Sequence, residues 1–189
     1  MSTKIMTAPD ASAQRYAMLG LGEIPLASSD FPLCFAKDAE TGRFDLIALL
    51  GLDLPRNLFW REGGWRCTYV PAWALIPQGE RRDRLAADLE AARAMVQRFA
   101  EMDLIRALEL VLVSPDGAEH EVSGLYSLSQ AALAKLTDSQ VVALYRDGHL
   151  AAATLMVASL NQLERLLQLR RAEPGAQHFE LRARLIERF

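Results

Sequence analysis

The tetrapeptide Ser114-Pro-Asp-Gly117 constrains the fold of this chain more than any other short segment. It lies between two β-patterned runs, residues 108–113 and 119–126. Proline fixes φ at one turn position, and glycine adopts the left-handed conformation that a tight turn needs. The sequence therefore predicts an antiparallel β-hairpin at this point, and the architecture of the chain must contain it.

Two more hairpins are predicted in the first half of the chain. Apolar runs at residues 31–36 and 44–50 flank a polar loop that contains glycine, and runs at 58–60 and 65–70 flank Arg61-Glu-Gly-Gly64. In the second of these hairpins, the two adjacent glycines are expected to supply the positive φ angles of a tight turn.

Helical patterns occupy the rest of the chain. A long helix is predicted over residues 80–104, because apolar side chains recur there with the helical period. Ser129 is predicted to cap a short helix, and Thr137 is predicted to form a capping box with Gln140. A last long helix is predicted from about residue 150 to residue 171. Its apolar stripe comprises Met156, Leu160, Leu163 and Leu167.

Hairpins, a helix, another hairpin and then helices predict an α+β fold. The expected order is N-terminal antiparallel β hairpins, a long helix, a further β hairpin and a C-terminal helical segment. A chain of 189 residues is long enough for one domain, assigned here to residues 1–171, with an amphipathic tail at 172–189. Leu181, Leu185 and Phe189 are spaced by four, which favours a short amphipathic helix. This tail is expected to dock on its own domain or on a partner.

Composition excludes several classes of function. The formal net charge is −3, so a general nucleic-acid binder is not expected. The longest apolar run, residues 150–160, covers only half of the roughly 20 residues that a membrane span needs. The N-terminal sequence lacks a secretory pattern, which predicts a cytoplasmic protein. Cys34 and Cys67 are then expected to be reduced thiols, although a disulfide between them stays an alternative.

No motif for catalysis, cofactor binding or metal binding is recognisable. The three histidines have no second ligand at a metal-binding spacing, and Gly20-Leu-Gly22 lacks the third glycine of a dinucleotide-binding loop. Neither cysteine has an activating base beside it in the sequence. We therefore predict no catalytic residue, no metal and no cofactor, and an enzyme with an unrecognised site stays the least favoured alternative.

All three tryptophans, Trp60, Trp65 and Trp73, lie within fourteen residues of one another and are interleaved with arginines. Strand alternation would turn Trp65, Cys67 and Tyr69 to one face, the usual arrangement of a core face. Tryptophan, tyrosine and arginine are also the residues enriched in recognition hot spots. The candidate partner-binding residues are Trp60, Arg61, Trp65, Arg66, Tyr69 and Trp73. Trp60 and Trp73, at the margins, are the better candidates for direct contact.

An ordered set of motifs resembles the SapC family of bacterial proteins over roughly residues 15–171. The motifs are Phe31-Pro-Leu-Cys-Phe-Ala36, Leu49-Leu-Gly-Leu52, Asn57-Leu-Phe59, Tyr69-Val-Pro-Ala72, Asp116-Gly117 and Gly124-Leu-Tyr126. Two departures stand out. Longer members carry an insert after the Tyr-Val-Pro-Ala motif, whereas Pro77-Gln-Gly79 runs here almost directly into the helix, and Met156 occupies a position where many members have histidine.

The resemblance implies association with bacterial surface layers and no established catalytic activity. It also implies genes that often neighbour TonB-dependent receptors, flavin-dependent halogenases and cupin-like oxygenases. The leading hypothesis is a non-enzymatic binding or accessory protein that engages a peptide or protein partner. The alternatives are a surface-layer-associated structural protein and an accessory subunit of a halogenase or oxygenase. A homodimer or an enzyme partner could form through the C-terminal tail.

Overall fold

A computed structural model describes residues 9–76, 80–174 and 178–187. Its strands are β1 (Tyr16–Met18), β2 (Leu33–Lys37), β3 (Phe44–Leu49), β4 (Trp60–Arg61), β5 (Gly64–Trp65), β6 (Ile105–Val113), β7 (Glu119–Leu128) and β8 (Glu180–Ile186). Its α-helices are α1 (Pro9–Ala13), α2 (Ile24–Ala27), α3 (Ala72–Leu75), α4 (Arg81–Glu101), α5 (Gln130–Leu133), α6 (Asp138–Arg146), α7 (His149–Ser159) and α8 (Gln162–Arg171). A short 3-10 helix, Leu21–Glu23, precedes α2.

Six strands form one antiparallel sheet in the order β1-β3-β2-β7-β6-β8, and β4 pairs with β5 in a separate two-stranded hairpin. Mixed helices and sheet confirm the predicted α+β class. The three predicted hairpins are confirmed as β2–β3, β4–β5 and β6–β7. Gly117 takes a φ of 86° in the Pro-Asp-Gly turn, as its position in the sequence predicts.

The core lies on both faces of the sheet around β2 and β3. Consecutive residues of these strands are buried, including Leu33, Cys34 and Phe35. Because successive strand residues point to opposite faces, such a run requires cover on both sides. Helix α4 packs against β3, and α7 packs against β2 and β7. The apolar stripe predicted for this helix comprises Leu85, Leu89, Ala92, Val96 and Phe99; the last four are buried and Leu85 is half-buried.

The predicted last helix is wrong in one respect, because it divides into α7 and α8. The chain turns at Leu160 and Asn161, whose N–H groups donate to carbonyls three residues back. Ser159, immediately before the turn, donates to the Met156 carbonyl at 2.6 Å and accepts from the N–H of Leu33 at 2.9 Å. This side chain ties the end of α7 to the start of β2.

The predicted helix in the tail is also wrong, because Glu180–Ile186 form strand β8 and pair with β6. A spacing of four residues places Leu181 and Leu185 on one side in either conformation, so the pattern did not distinguish a helix from a strand. Both leucines pack partly against the core of the same chain. Phe189, the third predicted docking residue, lies outside the described residues.

Candidate functional site

The aromatic segment, residues 57–73, begins at a buried asparagine. Asn57 donates from its side-chain nitrogen to the Ala11 carbonyl at 3.0 Å and accepts from the N–H of Phe59 at 2.9 Å. The loop before it passes so close to Gly51 that a Cβ there would lie 2.2 Å from the Arg56 carbonyl oxygen. These contacts hold the start of the segment against the domain.

The tip of the segment, residues 60–66, is the β4–β5 hairpin with Arg66. Trp60 and Trp65 face each other across the strands, with ring centroids 5.9 Å apart in an edge-to-face arrangement. The turn is made by Glu62 and Gly63, whose φ angles are 54° and 78°. Two successive positive φ angles are the pattern of a type I′ turn. The prediction that Gly64 would supply one of them is wrong, because Glu62 takes that position.

Two arginines of the tip remain accessible. The side chains of Arg61 and Arg66 are 45% and 51% exposed. Both lie near Glu62, at 3.6 Å and 2.9 Å respectively. Exposed pairs of this kind hold side chains weakly, so both guanidinium groups stay available for other contacts.

Strand pairing ends at Trp65 and does not continue to residue 70 as predicted. The N–H groups of Thr68 and Tyr69 donate to the carboxylate of Asp30 at 2.9 and 2.7 Å. A buried side chain thus takes the place of a neighbouring strand. Arg165 of α8 completes the cluster, binding Asp30 at 2.6 Å and the Arg66 carbonyl at 3.0 Å.

A second buried carboxylate, Glu23, holds the next part of the segment. It accepts from the Tyr69 hydroxyl at 2.6 Å, from the N–H of Ala72 at 2.9 Å and from the N–H of Gly20 at 2.8 Å. Burial, followed by the hydrogen bond and the negative charge of Glu23, raises the pKa of the Tyr69 hydroxyl. The Tyr-Val-Pro-Ala motif is therefore fixed at both ends by one acid.

The short motif Gly20-Leu-Gly22 also has a structural role. The N–H of Gly22 donates to the Asp88 carboxylate of α4 at 3.0 Å. A Cβ on Gly20 would lie 1.8 Å from the same carboxylate. The glycines thus allow close approach of an acidic side chain to the backbone, which the sequence pattern alone did not indicate.

The side chains of the segment still alternate between a core face and an exposed face, although strand β5 ends at Trp65. Trp65, Cys67, Tyr69 and Trp73 pack partly against the core, while Arg66 and Thr68 are exposed. Cys67 and Cys34 are both free thiols. Burial and the nearby charge of Asp30 raise the pKa of Cys67 to about 11, which leaves it protonated at neutral pH. A protonated thiol is a poor nucleophile.

Beside the tip lies a cavity of about 330 Å³, called here the hairpin groove. Its walls are formed by Leu58, Arg61, Glu62 and Arg66 on one side and by Leu169, Ala172 and Glu173 at the end of α8 on the other. Of the six predicted binding residues, the structure thus brings both arginines to the lining of one groove, while Trp60 and Trp65 pair on the same hairpin without lining it. Trp65, Tyr69 and Trp73 pack partly against the core.

Residues on other elements complete this region and were missed by sequence reasoning. Asp30, Glu23 and Arg165 hold the segment, and Leu169 and Glu173 line the groove. Nothing in the local pattern around these residues marks them, because their partners lie far away in the sequence.

Two properties of the described residues bear on the class of site. Within residues 9–76, 80–174 and 178–187, no three histidine, cysteine or acidic side chains are placed to hold a metal ion together. In the same ranges, no helix combines the length and the apolarity that crossing a membrane requires.

Comparison with known proteins identifies the family. No curated protein and no solved structure matches the chain. The SapC family model, however, matches residues 2–76 and 82–166. The two matched stretches flank the position where the sequence predicts that an insert is missing. Since they cover most of the 189 residues, the chain belongs to the SapC family.

Proposed function

We infer that this SapC-family chain is a non-enzymatic binding protein that engages a peptide or protein partner at its hairpin tip. The observation that carries the proposal is the exposure of Arg61 and Arg66 in the lining of the hairpin groove, on a hairpin that also carries the half-buried Trp60–Trp65 pair. Tryptophan and arginine dominate the binding energy of many protein interfaces.

The attachment of the tip supports this function. Asp30 and Glu23 fix the backbone directly after the tip, and Asn57 fixes the backbone directly before it. A surface that is held in its binding conformation loses less conformational entropy when a partner arrives. The tip is therefore suited to recognition even though it is only a two-stranded hairpin.

The chemistry of the groove indicates the kind of partner. Half-buried Leu169 offers an apolar contact, and Arg61 and Arg66 offer charged donors beside the carboxylates of Glu62 and Glu173 at the same opening. A peptide or protein loop with an apolar side chain next to a carboxylate or a carbonyl group matches these features.

The polar groups behind the tip are engaged in structural contacts, which also favours binding over catalysis. Glu23 and Asp30 each accept from several donors, and the Cys67 thiol stays protonated at neutral pH. A general base or a nucleophile requires an available lone pair near the substrate.

Site-specific photo-crosslinking in the native cell tests the proposal. A photoreactive amino acid at position 61 should capture a defined partner, whereas the same amino acid at position 145 should not. Tyr145 is 74% exposed and lies on α6, so it controls for random surface capture. Halogenase- and oxygenase-type partners are the first to examine, and turnover measured with and without this chain separates an accessory role from a catalytic one.

The captured partner then allows a quantitative test with Trp60→Ala. We expect the affinity in isothermal titration calorimetry to fall by at least about tenfold, while the free energy of unfolding falls by only about 1 kcal/mol. Tyr145→Ala should change neither quantity. Unchanged affinity in Trp60→Ala, or capture that is equal at positions 61 and 145, would contradict binding at the tip.

A further inference from the structure

A second groove lies along α4 and is separate from the hairpin groove. Two adjoining cavities of about 510 and 400 Å³ share Phe44 and Ala100 in their walls. The first lies between α4 and the turn that joins β2 to β3, and the second lies between the end of α4 and strands β6, β7 and β8. We call the pair the α4 groove, and none of its lining residues belongs to the hairpin groove.

The floor of the α4 groove is apolar. Tyr126, Ala107 and Ile186 lie next to one another in register across β7, β6 and β8. The ring of Phe44 packs edge-to-face on Tyr126, with centroids 4.9 Å apart. Ile186 is 39% exposed, and Ala107 is exposed as well. A continuous apolar row that water can reach is typical of a docking surface.

Among the described residues, four cations and two carboxylates, Glu90 and Asp103, line this groove, so its lining carries an excess of positive charge. Lys37 and Arg43 line it and make no ion pair within the part of the chain that the structure describes. Arg93 and Arg106, by contrast, are already paired with Asp45 and Asp103. The formal net charge of the chain is −3, so two uncompensated cations at one groove are not a consequence of overall composition.

We propose that the α4 groove docks an extended acidic peptide segment that carries aliphatic side chains. The aliphatic side chains bind along the row from Phe44 to Ile186, and the carboxylates bind Lys37 and Arg43. Between Glu90 and Ala100, α4 rises by about 15 Å, and an extended chain covers that length with roughly five residues. Charge complementarity selects an acidic segment over a basic one.

Short synthetic peptides test this proposal with the full chain. The probe is a fluorescein-labelled peptide of alternating leucine and glutamate, and the two comparison peptides replace glutamate by lysine or leucine by glycine. In fluorescence anisotropy, the leucine–glutamate peptide should bind at least about tenfold more tightly than either comparison peptide. Added salt should weaken its binding, because salt screens exposed charges.

Charge reversal locates the binding site. The double variant Lys37→Glu, Arg43→Glu should weaken binding of the leucine–glutamate peptide by at least about tenfold and should strengthen binding of the leucine–lysine peptide. The matched variant Arg61→Glu, Arg66→Glu changes the hairpin groove by the same charge and should weaken binding of the leucine–glutamate peptide less than the variant at Lys37 and Arg43 does. Circular dichroism confirms that both variants are folded.

Three results would overturn the proposal. Equal affinity for the acidic and the basic peptide would remove the role of charge. A larger effect of the variant at Arg61 and Arg66 would move the peptide to the hairpin groove. A concentration-dependent dimer that only the variant at Lys37 and Arg43 abolishes would assign the α4 groove to a second copy of the chain. None of these results depends on capture of a partner at the hairpin tip, so the two proposals fail separately.

Discussion

The two parts of the aromatic segment differ in how they are held. Residues 68–72 contribute three backbone N–H groups and one hydroxyl to two buried acids, Asp30 and Glu23. The tip at residues 60–66 is held by a short strand pair and by ion pairs with Glu62 that face water. The tip carries Trp60 and Trp65 and the second part carries Tyr69, and all three side chains are half-buried, so the two parts differ mainly in what holds their backbone.

This difference separates a structural role from a candidate binding role within one stretch of sequence. Buried acids that accept several hydrogen bonds are costly to disturb, because each donor left unpaired loses its partner without regaining water. Exposed arginines and half-exposed tryptophans can change with little effect on folding. The comparison therefore predicts that the loss in free energy of unfolding is largest for a change at Asp30 and smallest for a change at Glu62.

Asp30→Ala should have the largest effect. The change leaves the N–H groups of Thr68 and Tyr69 without an acceptor and leaves Arg165 without its carboxylate partner. We expect the free energy of unfolding in urea to fall by about 3 kcal/mol. Glu62→Ala removes a carboxylate from the tip and is the matched control, with an expected loss below about 1 kcal/mol. Similar losses in the two variants would remove the distinction between the two parts of the segment.

Tyr69→Phe should have an intermediate effect. It removes the hydroxyl that donates to Glu23 at 2.6 Å, but Glu23 keeps its two backbone donors. We expect a loss of about 1.5 kcal/mol in the free energy of unfolding at neutral pH. Tyr145→Phe, at an exposed tyrosine of α6, should change the free energy by much less.

The effect of Tyr69→Phe should also depend on pH. The folded chain raises the pKa of the Tyr69 hydroxyl, so the protonated form is favoured by folding. Its contribution is fully present below the unfolded pKa of about 10 and is lost as the pH rises above that value toward the folded pKa. The difference between the parent chain and Tyr69→Phe should therefore shrink above about pH 10. A difference that stays constant or grows at alkaline pH would show that the Glu23 contact is not its source.

The fold was predictable where the signals are local. The Pro-Asp-Gly turn, the Ser129 cap and the capping box of Thr137 and Gln140 each involve residues within a few positions of one another, and all three are present. The end of α7 was not predictable in this way. It depends on a hydrogen bond between Ser159 and the backbone of Leu33, which are 126 positions apart.

The same reasoning applies to the candidate site. Composition indicated the tip, because tryptophans and arginines cluster there, but it did not reveal the acids that hold the segment. Asp30 meets Arg165 at a separation of 135 positions, and Glu23 meets Tyr69 at a separation of 46. A single sequence gives the types of the residues on both sides of such contacts, but it does not show which residues pair with each other.

Glu62→Asn should have the smallest effect, and in the opposite direction. Glu62 has a φ of 54°, a left-handed conformation that costs an ordinary side chain about 1 kcal/mol and that asparagine tolerates better. Asparagine followed by Gly63 is the preferred pair for a type I′ turn. The change also removes the exposed ion pairs with Arg61 and Arg66, each worth about 0.5 kcal/mol or less. We expect a net gain of about 0.5 kcal/mol in the free energy of unfolding.

Glu62→Ala is again the matched control, because it loses the same ion pairs without gaining a residue that favours positive φ. The two variants should therefore differ in free energy of unfolding by about 1 kcal/mol, and added salt should not change that difference, since both lack the charge at position 62. If the two variants are equally stable, asparagine relieves no cost of the positive φ at position 62, and the tip is held by its charges and not by its turn. The tip would then be less preorganised than the Thr68–Ala72 stretch that follows it.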